Sequence, residues 1–155
     1  MQRAMKTLLP VVVILICFAS GSAIAQSGIG IRAGVTADPT QFHFGGHYIT
    51  KPFFKALSFR PNLEIGFGDN VTTIATNFEV AYSIPIPNSN VSAYFGAGPS
   101  LLFYNFDDFP DHDTDTGGGF NILIGAEYKH GFFGEFKIGT FDSPDFKFTV
   151  GFTFR

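Results

Sequence analysis

The 155-residue chain has no tryptophan, a single cysteine and only 15% charged residues, and each shortage excludes something. One cysteine, Cys17, cannot form an intrachain disulfide, so an exported form has to be held by its fold, its solvent or a ligand. Basic residues are few as well. Setting aside Arg3 and Lys6 in the N-terminal segment leaves eight against thirteen acids, a balance that argues against nucleic acid as a partner. Helical periodicity is also missing: after the first 25 residues no stretch keeps a 3.6-residue period.

The N-terminus reads as a processing segment. Arg3 and Lys6 precede an apolar run from Leu8 to Ala19, and Ala23-Ile24-Ala25 places small residues where a signal peptidase reads them. The apolar run is about 12 residues, short of the roughly 20 that a membrane-crossing helix needs. Ile16 before Cys17 lacks the small side chain that a lipoprotein signal would require. The expectation is a signal peptide over residues 1–25, cleaved before Gln26, and one domain over 26–155. What remains is rich in phenylalanine, with 21 in the whole chain, and in glycine, with 18.

Alternation is nearly continuous through that domain, cleanest in one segment and less perfect in the others. From Leu57 to Gly68 one face reads Leu57, Phe59, Pro61, Leu63, Ile65, Phe67, and the other Ser58, Arg60, Asn62, Glu64, Gly66, Gly68. Similar segments begin near Ile29, Phe42, Ile74, Val91, Phe120, Phe132 and Phe146, which makes eight strands. Most are about 9 to 11 residues or longer, the length a tilted strand needs to span a bilayer. Alternation alone leaves a soluble sandwich or a lipocalin-like barrel open. Glycine placement separates them. Gly28, Gly30, Gly34, Gly45, Gly66, Gly68, Gly96, Gly98, Gly117, Gly119, Gly125, Gly139 and Gly151 all fall on the polar face. Glycine weakens a water-facing strand surface, whereas the narrow lumen of an eight-stranded barrel needs tiny residues beside large polar ones. Turned inward, the phenylalanines would overfill that lumen; turned to lipid, they need no interdigitation. Tyr48, Tyr82 and Tyr128 end the second, fourth and sixth strands on the apolar face, as an interfacial girdle requires. The tight turns at His130-Gly131 and residues 85–90 are expected at the periplasmic end, and the longest connection, about 106–116, at the outer end.

The leader, the eight alternating segments and the closing Phe148-Thr149-Val150-Gly151-Phe152-Thr153-Phe154-Arg155 resemble the small OmpA-like and OmpX-like outer-membrane β-barrels. The likeness covers residues 26–155; the family's terminal aromatic is here penultimate, followed by Arg155. It implies an all-β fold, an eight-stranded antiparallel up-and-down transmembrane barrel in the Gram-negative cell envelope, exported through the periplasm. It also implies contact with outer-membrane lipids and lipopolysaccharide, and with the barrel assembly machinery during biogenesis. Because this fold hosts many activities, it does not by itself assign one.

Acids and bases share the polar face: Glu64, Glu79, Glu127 and Glu135 can meet Arg32, Arg60, Lys129, Lys137 and Lys147 in a lumen network. Such a network satisfies buried charge that would otherwise be costly. His43 and His47 lie about 13 Å apart along one strand at roughly 3.3 Å per residue, too far to share a metal, and read as lumen hydrogen-bonding groups. Asp111, Asp113 and Asp115 alternate in the acidic segment 107–117, a spacing that can present carboxylates to a hard cation. The glycine comes one place late and the closing glutamate of a calcium loop is absent, so a solvated acidic loop is the plainer reading. No cofactor is implied, and no serine is tied to a histidine and an acid. The expected function is a non-enzymatic structural or surface-interaction role through the outer loops. A lipid-modifying enzyme of the same architecture and a soluble lipocalin-like carrier are the alternatives.

Overall fold

A computed structural model describes residues 27–107 and 112–155. The expected leader and Asp111 lie outside them. Eight strands follow in order: β1 (Gly28–Ala37), β2 (Gln41–Ile49), β3 (Leu57–Gly68), β4 (Val71–Pro85), β5 (Val91–Asp107), β6 (His112–Tyr128), β7 (Phe132–Phe141) and β8 (Phe146–Phe154). Each pairs antiparallel with the next, and β8 closes onto β1 from Ile29↔Phe154 to Ala37↔Phe146. The result is a closed up-and-down barrel with no free sheet edge along its length.

The polarity is inverted relative to a water-soluble barrel. Inward positions of β1 through β4 carry Arg32, Thr36, Gln41, His43, His47, Arg60, Asn62, Glu64, Asn77 and Glu79, all buried. The outward positions carry Ile29, Ile31, Phe42, Phe44, Leu63, Phe67, Ile74 and Phe78, all exposed, and β6 to β8 continue the wall with Ile122, Ile124, Phe136 and Phe148. A soluble carrier with an apolar cavity is thereby excluded, because the apolar face is the outside of the cylinder.

Glycine explains how the charged interior fits. A Cβ added at Gly45 would fall on the Leu63 carbonyl and 2.8 Å from the Glu64 Cα; one at Gly98 would lie 2.7 Å from the Glu79 Cα. At Gly118 and Gly134, which face outward, nothing lies within 4 Å. The two strand prolines are placed as consistently. Pro61 sits just past the last β2–β3 pair, Asn62↔His47, and Pro99 in the gap of the β4–β5 ladder between Asn77↔Ser100 and Val80↔Ala97. The missing N–H at each therefore costs no ladder bond. Gly131, at φ 106°, makes the β6–β7 turn and bonds Tyr128 O at 2.8 Å.

Two expectations are corrected here. The segment 106–116 is not a long loop: β5 and β6 stay paired to Asp107↔His112, forming a hairpin that outruns β7, whose pairing with β6 begins at Gly119↔Phe141. The longest connection is instead residues 50–56, at the end that carries the termini. Alternating polar residues with water on both faces show no apolar phase, so the sequence reads as loop where the backbone is strand.

Candidate functional site

The lumen is the most elaborate side-chain arrangement in the molecule, and it is assembled by strands far apart in sequence. Inward positions of β1, β3, β7 and β8 converge at mid-height. Arg32 Nη2 donates to Glu135 Oε1 at 2.5 Å, and its Nε stands 2.9 Å from Glu64 Oε1 as an ion pair without hydrogen-bond alignment. Lys147 Nζ closes on the other Glu64 oxygen at 2.5 Å. Alongside, Lys137 Nζ donates to both Glu79 oxygens, at 2.7 and 2.9 Å, and lies 3.5 Å from Glu135. Glu79 also receives Asn62 and Asn121, and an amide chain runs Asn121 to Asn77 to Asn62 at 2.9 and 2.7 Å.

Nearer the termini, Arg60 stacks its guanidinium 4.1 Å from the Tyr94 ring centre, bonds Ser58 and Ser83, and lies 3.8 Å from Glu127, which also pairs with Arg155. Four glutamates thus meet Arg32, Arg60, Lys137 and Lys147, and the buried lumen charge cancels without solvent. At the opposite end Ser143, from the β7–β8 connection, tucks into the mouth. It is buried against Gly119 and Gly139 and shares a 2.5 Å hydrogen bond with Ser100. Tyr104 donates to Asp142 O at 2.5 Å and Gly118 N–H to Asp142 Oδ2 at 3.0 Å, pinning that connection across the hairpin.

A cavity of about 10 Å³, lined by Arg32, His47, Arg60, Glu79, Tyr94, Phe133 and Glu135, has room for about one water and none for a metabolite. His43 is held between Thr36 and Thr149, both at 3.0 Å, and His47 Nε2 meets Thr153 at 2.9 Å. Neither imidazole is hydrogen-bonded to a carboxylate among the described residues, so the orienting acid of a catalytic triad is missing at both.

Of the basic and acidic residues expected in the lumen, Lys129 alone is elsewhere. It is exposed in the β6–β7 turn, because the strand ends one residue earlier and the alternation no longer applies. The tyrosines separate too. Tyr48 and Tyr128 are exposed, but Tyr82 is only 7% exposed, its ring 5.8 Å from Phe95. It keeps the outward register of the girdle, opposite Leu57, while its surface is sheltered. Asp115 is exposed and accepts the Thr116 N–H at 2.8 Å. Asp113 belongs to β6, with its side chain outside the described set, and no group of three or more potential metal ligands occurs among the described residues.

Tyr94, Leu102, Leu123 and Phe133 are among the lumen residues that escape the sequence reading. Tyr94 O–H donates to Glu135 Oε2 at 2.9 Å, and Phe133 packs edge-on against His47 with ring centres 5.1 Å apart. The signal for Tyr94 was its shared parity with Gly96, Gly98 and Ser100. Tyr94→Phe is expected to lower stability by about 1.5–3 kcal/mol, the usual worth of a hydrogen bond to a charged group. Urea unfolding in detergent micelles measures it, and an unchanged midpoint would remove the hydroxyl from the network.

No family model matches the chain, and no curated protein matches its sequence. Solved structures do. The N-terminal β-barrel domain of Pseudomonas aeruginosa OprF superposes with a TM-score of 0.61 at 16% identity, over 83% of this chain and 100% of that one. Neisserial surface protein A (NspA) gives 0.59 at 13% identity, over 83% and 94%. At such identities the likeness is one of architecture. The fold is that of the small eight-stranded outer-membrane barrels of the OmpA-like and OmpX-like kind.

Proposed function

We propose that this chain is a non-enzymatic outer-membrane barrel. Its wall sits in lipid, its lumen is a closed ion-paired plug, and its outer rim is the surface it offers to partners. The inverted polarity carries this reading: exposed phenylalanine and isoleucine ring a cylinder whose interior is charged and paired. Water would penalise so large an apolar exterior, and a bilayer would favour it. With the termini at the periplasmic end, the β1–β2, β3–β4, β5–β6 and β7–β8 connections face outward. Asp38, Asp69, Asp115, Asp142 and Asp145 lie there, and no lysine or arginine joins them among the described residues. That acidic rim, rather than long loops, is the surface for interaction. Lipopolysaccharide and other outer-membrane lipids are the proposed neighbours, and the barrel assembly machinery the proposed partner in biogenesis. Lipid A of unaltered mass in cells with and without the gene is the outcome that separates this role from lipid modification.

Phe44→Arg tests the membrane directly. Phe44 is exposed halfway along β2, opposite Ala33 and Ile65. In vesicles arginine there is expected to cost about 2–4 kcal/mol, seen as loss of the heat-shifted band when boiled and unboiled samples are compared on a gel. A variant that folds as well as the parent, and in water without lipid, would overturn the reading.

A further inference from the structure

The charges outside the lumen are segregated by end. Among the described residues the outer rim holds aspartates with no lysine or arginine beside them, while the exposed Lys51, Lys55 and Lys129 all lie at the terminus-side rim. The β2–β3 connection there reads Thr50-Lys51-Pro52-Phe53-Phe54-Lys55-Ala56. It is a built turn. Phe53 N–H bonds Leu57 O at 3.0 Å, Leu57 N–H bonds Phe54 O at 2.8 Å, and Ser83 N–H bonds Ala56 O at 3.0 Å. Lys55 occupies the left-handed position, φ 49°, and sets its ammonium 5.7 Å from the Phe54 ring centre.

The turn holds Phe53 and Phe54 each 62% exposed, beside the girdle position of Tyr82, with a lysine on either side. Water is a poor neighbour for two such rings fixed in place. Apolar rings that enter the acyl boundary while flanking ammoniums reach the phosphates above them are the chemistry of an interfacial anchor. We propose that the Lys51–Lys55 turn docks the phosphate headgroups of anionic phospholipid in the leaflet on the side of the termini. The proposal rests on the membrane reading of the barrel. Charge complementarity selects the occupant, since the connections at this rim carry no acid among the described residues, and Glu127 at its edge is paired with Arg60 and Arg155. The segregation further implies that a preference for anionic phospholipid belongs to this end and not to the aspartate-bearing one.

Native mass spectrometry of the folded protein, released from mixed micelles holding phosphatidylglycerol and phosphatidylcholine in equal amounts, tests it. The parent is expected to retain phosphatidylglycerol in preference. A lysine near an anionic surface contributes roughly fivefold, so K51S/K55S is expected to lose up to about 25-fold of that preference, and K51R/K55R to keep it. Equal retention of the two lipids by the parent, or an unchanged preference in K51S/K55S, would overturn the docking site and leave the barrel intact. Absence of a heat-shifted band in the parent would instead overturn the membrane reading and the docking site with it. Preference lost equally in K51R/K55R would assign the effect to the fold of the turn and refute headgroup recognition.

Discussion

Lys137→Met is expected to destabilise the folded barrel by about 3–5 kcal/mol, the usual cost of stranding one member of a buried ion pair. Lys137 is the cation for Glu79, whose two oxygens accept from it at 2.7 and 2.9 Å with both side chains almost wholly buried. Glu135, its second neighbour at 3.5 Å, keeps Arg32 and Tyr94, so the damage is concentrated on Glu79. The companion experiment is the double replacement K137M/E79L. Asn62 would still bond Arg60 O at 3.2 Å, and Asn121 would still bond Asn77 at 2.9 Å. No polar group is then orphaned. A buried pair exchanged for apolar residues of similar volume is often neutral or better, so the double variant is expected to recover most of the loss. Urea midpoints in micelles for parent, both single variants and the double form the cycle. Additive losses would mean that Lys137 and Glu79 act independently and that the lumen is wetter than its burial indicates.

The second large effect separates two adjacent residues. Gly45→Ala is expected to cost about 3 kcal/mol, at the upper end of overpacking, and to leave little of the heat-shifted band. Gly46→Ala is expected to be neutral, or to gain about 0.4–1 kcal/mol by restricting the unfolded chain. Gly45 faces the lumen, where a methyl group meets the β3 backbone at Leu63 and Glu64, and that backbone is tied on its other side to β4. Gly46 faces outward, and its nearest neighbour would be Gly30 O at 3.5 Å, an ordinary contact. The same methyl group therefore reads the direction of the side chain. Equal tolerance at both positions would show that β3 yields easily and that lumen glycines are not sterically required.

These two experiments probe features that were legible to different degrees. Glycine on the polar parity of every strand but β4 points from the sequence alone to a crowded lumen, because only a narrow interior makes so many absent side chains useful. Which carboxylate meets which cation was not legible. Lys147 and Glu64 are 83 residues apart, and their meeting depends on the stagger of strands around a closed cylinder. The inward turn of Tyr94, Leu102, Leu123 and Phe133 was hidden for a related reason. β5 and β6 carry apolar residues on both parities, so hydrophobicity gives no phase there, and the hydrogen-bond register with neighbouring strands decides which side faces in.

By itself the sequence determined the strand count, the two faces of most strands and the balance of charge assigned to the interior. Those properties follow from a two-residue period and from what lipid and a narrow lumen each accept. Only the tertiary structure decided that Lys129 leaves the lumen, that Ser143 stoppers the mouth, that Tyr82 is sheltered, and that the acidic segment continues as a hairpin. Each of those depends on where a strand stops relative to its neighbours, and that position is a property of the closed ladder rather than of local composition.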